Sequence, residues 1–277
     1  MRNKLIFTID LEWYYNGIKS GRENIADFSK KSLKDRVIYD NGQIEKSVKS
    51  ILAILQRYHQ TITFYVVAEL WEAYPHVIET IYKQGNEIAL HSYRHDTLTD
   101  RLSFETDLEK SVRFQKKYNI TGFRNPRINM NRQNYKSLAK FEYKHDSSVY
   151  GTTRFEYAGI NILPVSVMPH SGKRDIQCIP SNLNMDLIKK SVPFGSGMFA
   201  GLLRKNVKYL IDTYYSRYRE SPCIFIHSWQ IEQPYYPVQF FAKNPWMISY
   251  SFECKGMLEY FCERYKLVRV KDYLLDE

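Results

Sequence analysis

The sequence predicts an α/β fold built on a parallel sheet with helices packed outside it. Two observations carry that expectation. Short β-branched and aromatic runs alternate with longer segments whose apolar residues recur at helical spacing. Several of the short runs also end in a polar or ionisable residue: Asp10, His91, Arg124 and His227. In parallel α/β folds the carboxyl ends of the strands form the functional edge. These four side chains are therefore expected on one rim.

The elements follow in chain order. Leu5–Asp10 is an apolar strand that runs on into Leu11, Glu12 and Trp13. Tyr14–Asn41 is polar and too long for a plain connection, so a loop with a short helix folded over the rim is expected. Gln43–Tyr58 carries Ile44, Val48, Ile51, Leu52 and Leu55 at helical spacing, with Asp40 or Asn41 as N-cap. Thr61–Val67 is a buried strand. Leu70–Gln84 reads as a helix, with Pro75 near a helix start and Gly85 closing it. Asn86–His91 is a strand, Ser103–Tyr118 an amphipathic helix, and Ile120–Arg124 a strand. Asn131–Phe141 is helical and Tyr143–His145 a short strand. Ile160–Val165 and Asp175–Ile179 are strand candidates separated by a loop rich in Pro, Gly and His. Leu202–Tyr218 is a long helix, Cys223–His227 a strand, Lys255–Arg264 a helix and Leu267–Val270 a last strand. No internal repeat or low-complexity segment is visible.

Bulk composition narrows the function classes. The 277 residues are 44% apolar and 25% charged, ordinary for a chain with a sizeable core. The formal net charge of +10 points either to simple solubility or to an anionic partner. No dense Lys/Arg run or nucleic-acid motif is present, so no nucleic-acid partner is expected. A phosphorylated sugar, a lipid-linked glycan or peripheral contact with a membrane surface remains compatible. Tyr is abundant, with 23 copies, and its ring suits both cores and sugar surfaces. Cys178, Cys223, Cys254 and Cys262 form no C-x-x-C pair and read as reduced thiols. The chain enters its first strand without a positive-then-apolar leader and has no apolar run long enough to span a bilayer. A cytoplasmic location is the expectation.

The chemistry starts with Asp10 and Glu12. Side chains alternate along an extended chain, so these two acids project to the same side. Paired buried acids need a positive partner: a metal, an arginine or a histidine. His91 and His95, four apart, can ligate one metal. Two imidazoles and one carboxylate make a common catalytic zinc set, and suit other divalent first-row metals. One acid would then bind metal while the other takes a proton from the attacking water. Arg124 can hold the base carboxylate, and His227 can protonate a leaving nitrogen. The sum is metal-assisted amide hydrolysis. Of the other histidines, His59 and His76 fall in surface helical patterns and His170 in a loop. The aromatic cluster Pro234-Tyr235-Tyr236-Pro237 and Trp246 follow the His227 strand, where they either stack on a sugar or pack the loop.

At this point the residues resemble the NodB-type polysaccharide deacetylases, carbohydrate esterase family four. Thr8-Ile9-Asp10-Leu11-Glu12 is similar to the T-F-D-D-G motif, in a D-x-E form. His91-Ser92-Tyr93-Arg94-His95 is the H-[ST]-x-x-H motif intact, and Arg124-Asn125-Pro126 the R-x-P motif, followed by Arg127 where many members carry an aromatic. Ile224-Phe225-Ile226-His227-Ser228-Trp229 resembles an H-P-W-E element, with Gln230 in place of the Glu. Phe194-Gly195-Ser196-Gly197-Met198-Phe199 resembles a glycine-rich loop of that branch. The resemblance implies one catalytic domain over 1–277, a distorted (β/α) barrel of about seven parallel strands, with an insertion at about 14–41. It implies an N-deacetylase of aminosugars using a divalent metal, Zn2+ first, with Co2+, Ni2+ or Fe2+ as alternatives. Asp10 would be the base, Arg124 its positioner, His227 the acid, and Glu12, His91 and His95 the metal ligands. The backbone near Tyr93 would help hold the oxyanion. Tyr14, Tyr93, Arg127 and Trp229 are expected on the substrate. The motif Asp that orients the acid histidine has only Asp146 as a candidate. Two other readings stand beside this one. Glu12 in place of Asp suits a metal-free hydrolase of cyclic amides, and a decayed site would leave a non-catalytic glycan-binding protein.

Overall fold

The structure is a computed structural model that describes residues 2–15, 31–96, 98, 100–170, 185–235, 241–242 and 244–275. It is a (β/α) barrel in which strands β1 (Lys4–Leu11), β2 (Thr63–Val66), β3 (Glu87–Leu90), β4 (Gly122–Phe123) and β5 (His145–Asp146) pair in parallel, in sequence order. On the other side of β1 lies β12 (Cys223–His227), also parallel. Beyond β5 come β6 (Tyr150–Gly151), β7 (Phe155–Tyr157), β8 (Ile160–Ile162) and β9 (Val165–Ser166), while β10 (Met168–Pro169) and β11 (Ser191–Val192) pair antiparallel with each other. β8 pairs with β5 and β9 with β6, both in parallel, and β7 folds back antiparallel on β8. Backbone bonds from Leu163 to Asp146 and from Val165 to Val149 carry the β5–β8 ladder into the β6–β9 ladder.

Among the described residues the two ends of this sheet are not paired strand to strand. They are tied through Gly195, whose N–H donates to the Ser166 carbonyl and whose carbonyl accepts from Phe225 of β12. Only glycine fits there. A Cβ on Gly195 would stand 2.4 Å from the Cys223 carbonyl oxygen and 2.7 Å from the Ser166 nitrogen.

Helices α1 (Leu33–Asp40), α2 (Gln43–Arg57), α3 (Glu69–Ala73), α4 (Pro75–Lys83), α5 (Arg101–Tyr118) and α6 (Asn134–Lys140) lie along the first half of the chain. α7 (Met185–Lys190), α8 (Gly197–Leu203), α9 (Lys208–Tyr218), α10 (Lys255–Arg264) and α11 (Val270–Leu275) follow. The period-2 alternation of β1 sorts its residues between two environments. Leu5, Phe7, Ile9 and Leu11 join the main core with Ile44, Ile51 and Leu55 of α2. Ile6 joins a smaller cluster with Tyr65, Ala89, Leu163 and Cys223. Thr8, Asp10 and Glu12 continue that second face and are buried.

Several expected boundaries shift. The 70–84 helix is two helices, because Pro75 has no N–H and starts a new one, with Tyr74 between them outside helical geometry. The 202–218 helix is α8, a 3-10 turn at Arg204–Val207 and α9, broken at Arg204, whose φ is +49°. The expected last strand is shortened to β13 (Lys266–Leu267), which pairs with β1, and residues from Val270 turn helical. Within Tyr14–Asn41 the described part ends in α1, with Ser32 as N-cap. The 175–179 strand candidate lies outside the described residues, as do Cys178, Tyr236 and Pro237.

Candidate active site

The sheet register brings the site together. Asp10 pairs with His227 on one side and Tyr65 on the other, Leu11 with Val66, Val66 with Leu90, and Leu90 with Phe123. The strand ends are level, so the next residues of each chain segment, Glu12, His91 and Arg124, emerge at one height. His91 N–H still bonds to Val66 O and Arg124 N–H to Leu90 O, which extends the ladder into the site.

Arg124 and Asp10 form the buried centre. Arg124 Nη1 lies 2.6 Å from Asp10 Oδ1 and also donates to Thr8 Oγ1. Nε and Nη2 donate to the Ser147 carbonyl and hydroxyl. The guanidinium lies over the Tyr65 ring at 3.9 Å and faces Phe225 at 5.0 Å. Burial works against its charge, but Asp10 outweighs it and holds the guanidinium protonated more firmly than usual. Asp10 Oδ2 is 3.8 Å from His91 Nε2.

Glu12, His91 and His95 converge beside Asp10, with one potential ligand atom from each lying within 4.8 Å of the others. The tautomer of His91 is set by its Nδ1–H, which donates to the Arg124 carbonyl at 2.8 Å and leaves the Nε2 lone pair facing the site. Glu12 Oε2 lies 2.6 Å from His95 Nε2, yet this buried oxygen receives no well-directed hydrogen bond. A carboxylate and an imidazole crowded on one point, paired in charge but poorly aligned for a hydrogen bond, fit a shared cation. Burial pushes the Glu12 carboxyl up, but His95, His227 and His91 together pull it down to about 2. Burial and the neighbouring His95 hold His91 near 4, so its imidazole is neutral and able to bind metal. For His95 burial opposes the charge and Glu12 favours it, and the net is upward. The donor set therefore fits a divalent first-row metal.

His227 closes the other side, with Nε2 3.4 Å from Glu12 Oε1. Its Nδ1–H donates to Gln230 Oε1 at 3.0 Å, and its backbone N–H donates to the same oxygen. Gln230 is itself fixed by Nε2 donating to Gly197 O. Trp229 stacks on the His227 ring at 4.8 Å and Tyr250 meets it edge-on at 5.3 Å. Glu12, Asp10, His91 and Arg124 are sealed, while the His227 and His95 side chains keep 14% and 9% exposure and form the open side.

The remaining expected site residues divide. Arg127 is exposed on the rim, close enough to His95 to oppose its charge, and it and Ile128 both have left-handed backbone, at φ +63° and +52°. Tyr14 packs against Tyr15 and Tyr39. Tyr93 points away: its OH donates to Glu72 and its N–H to both oxygens of Asp107. The Tyr93 amide itself is therefore taken up by Asp107 and turned from the site. Trp229 is buried behind His227, so it supports the imidazole and offers no face to a sugar. Asp146 does not hold His227; it accepts from Ser148 and Tyr135, and Gln230 takes that position. The His91–His95 stretch is a loop with left-handed backbone at Ser92 and His95. Thr8, Ser147 and Gln230 were missed as site residues, although Thr8 shares the alternation of Asp10 and Gln230 stands three after His227. Glu69 was missed too. Buried, it joins Trp13 Nε1, Arg36 and Arg94, the neighbours of Glu12 and His95 among them.

Among known proteins, a polysaccharide deacetylase family model matches residues 32–145. A Mycobacterium smegmatis protein assigned as a polysaccharide deacetylase superposes with a TM-score of 0.64 at 16% identity, covering 99% of this chain and 89% of that one. PuuE allantoinase superposes at 0.58 and 16% identity, covering 98% and 89%. A mutant of BA3943, a CE4 family pseudoenzyme of Bacillus anthracis, with restored activity superposes at 0.50 and 12% identity, covering 99% and 68%. None of the curated proteins compared matches this chain. The fold is thus one shared by proteins named as deacetylases, an allantoinase and a pseudoenzyme.

Proposed function

We propose that the chain is a NodB-type, metal-dependent hydrolase that removes the N-acetyl group from an aminosugar of a polysaccharide or of a nucleotide- or lipid-linked glycan precursor. The observation that carries this reading is the convergence of Glu12, His91 and His95 on one point beside an Asp10 that Arg124 pins in place. Glu12, His91 and His95 would hold a divalent metal, which when bound would supply Lewis acidity to the amide carbonyl and acidify water. Asp10, with Oδ1 on Arg124, uses Oδ2 to take the proton of the attacking water. His227, with Nδ1–H on Gln230, presents Nε2 to protonate the departing amine. The rest of the barrel keeps bulk solvent from the acids, and the opening between His95 and His227 admits the glycan and the attacking water.

The test is metal content of the purified chain beside His91→Ala and His95→Ala, with turnover of N-acetylated oligosaccharides measured in parallel. Stoichiometric metal that both variants lose, and turnover that chelators stop, support the reading. A second reading has one observation in its favour. Glu12 lies between His95 and His227, so three side chains partly satisfy one another without a cation. A metal-free hydrolase of cyclic amides would show no metal and chelator-resistant turnover of ureides.

A further inference from the structure

We propose that the face formed by α8, the 3-10 turn that follows it and the 3-10 turn Pro245–Tyr250 docks on an anionic lipid bilayer. The inference stands whether or not the site turns over. Leu202 at the end of α8 is 47% exposed, Ile248 is 48% exposed, and Tyr209, on the first turn of α9 where the face ends, is 62% exposed. Large apolar side chains that stay wet beside one another mark an interaction surface more often than isolated ones do.

Leu202 and Ile248 adjoin in sequence the contact between α8 and the Pro245–Tyr250 turn. Gly201 meets Ser249 so closely that a Cβ on it would stand 2.7 Å from the Ser249 carbonyl. Cations stand on the 3-10 turn that follows α8 and on the first turn of α9. The Arg204 guanidinium lies over Phe252 at 4.8 Å, the Lys208 ammonium over Tyr209 at 4.8 Å, and the Lys205 stem 3.9 Å from the Cβ position of Gly256. Of the acids nearby, Glu253 is exposed, with its carboxylate on the Lys255 N–H, Glu232 is held by Ser50, Lys46 and Lys255, and Asp212 accepts from Tyr265. Exposed apolar side chains with Lys and Arg on the adjoining turns have the composition of an interfacial anchor. The tips enter the acyl boundary and the cations meet lipid phosphates. The formal net charge of +10 adds a long-range pull toward such a surface.

The face is also continuous with the site. The turn that exposes Ile248 presses Tyr250 against His227, and the first residue of α8, Gly197, accepts from Gln230. A bilayer under this face would lie beside the open side of the site.

Flotation with mixed phosphatidylglycerol–phosphatidylcholine vesicles and with pure phosphatidylcholine vesicles tests the proposal. The chain is expected on the mixed vesicles, less at high salt, and not on phosphatidylcholine. Each lysine neutralised in Lys205→Gln and Lys208→Gln should weaken partition about fivefold. Leu202→Ser with Ile248→Ser should remove the residual binding at high salt. If that pair fails to fold by circular dichroism, the lysine variants still decide. No partition on anionic vesicles, or unchanged partition of the variants, overturns the proposal. So does a wild-type dimer that Leu202→Ser dissociates, because the face would then belong to a second copy.

Discussion

Asp10 and Glu12 sit two residues apart on one face of β1, yet they have different surroundings. Asp10 has a fixed cation in Arg124 and lies beside a His91 held neutral, whereas the partners that favour the Glu12 charge are the imidazoles of His95, His227 and His91. Asp10→Asn keeps an acceptor for Arg124 and leaves the three converging donors untouched. Turnover should fall about 10²–10⁴-fold with metal content unchanged. A variant that kept full activity would take the base role away from Asp10. Gln230→Ala frees the His227 ring, so kcat should fall with little change in KM, while Gln230→Glu, which keeps an acceptor, should restore most of it. A fall in KM-dependent binding alone would make Gln230 a substrate contact instead. At this scale the sequence was informative wherever a residue follows directly from a strand end, as Asp10, His91, Arg124 and His227 do. It was silent where the backbone turns left-handed. Ser92 and His95, at φ +62° and +63°, turn the intervening loop so that Tyr93 leaves the site, and no spacing rule shows that.

The elements carry two further tests. Gly195 is the seam between β12 and β9, and Gly195→Ala has no room to relax, because every near atom is backbone. It should cost at least about 2 kcal/mol, read as a lowered urea midpoint. An unchanged midpoint would mean that the seam can open without loss. On α5, Asp107 receives the Tyr93 N–H and so pins the loop between His91 and His95 to the helix. Burial raises its carboxyl from the ordinary 3.8 to about 7. The folded chain keeps a proton there that the unfolded chain has lost. This contribution to stability is full below about pH 3.8 and disappears as pH rises through about 7. Asp107→Asn should flatten that part of the pH–stability curve relative to the parent, and an equal slope in both would exclude Asp107 as its source. Helical periodicity made α2 and α5 legible, since both have strong apolar faces or caps. It overran at Pro75 and Arg204, because apolar spacing continues across a break that only the backbone registers.

Across the whole molecule the barrel has a polar floor as well as a polar mouth. At the opposite end of the strands from the site, Glu87 accepts from His145 at 3.0 Å and from Thr63 at 2.6 Å. The same carboxylate accepts the Lys271 N–H, and Thr63 accepts that of Val270, so the first turn of α11 is bound to the floor. His145 needs Gly122 beneath it, since a Cβ there would stand 2.1 Å from its ring. Burial raises the Glu87 carboxyl, His145 and Thr63 lower it, and the net is downward. Its stabilisation is therefore present above the ordinary value of 4.5 and is lost as pH falls below it. None of this was visible as chemistry in the sequence, because Glu87 and His145 stand at strand starts, where the rim argument gives no reason to look. Glu87→Ala leaves an imidazole, a hydroxyl and a backbone N–H without an acceptor in a sealed space, at a cost of about 3–5 kcal/mol. The loss should be uneven. Hydrogen exchange at Val270 and Lys271 should accelerate beyond the global change, while the strand ends around Asp10 should follow global unfolding alone. Uniform acceleration would mean that the floor stabilises the barrel as one unit and that α11 is held by its apolar contacts, chiefly Val270 against Ile6 and Tyr65.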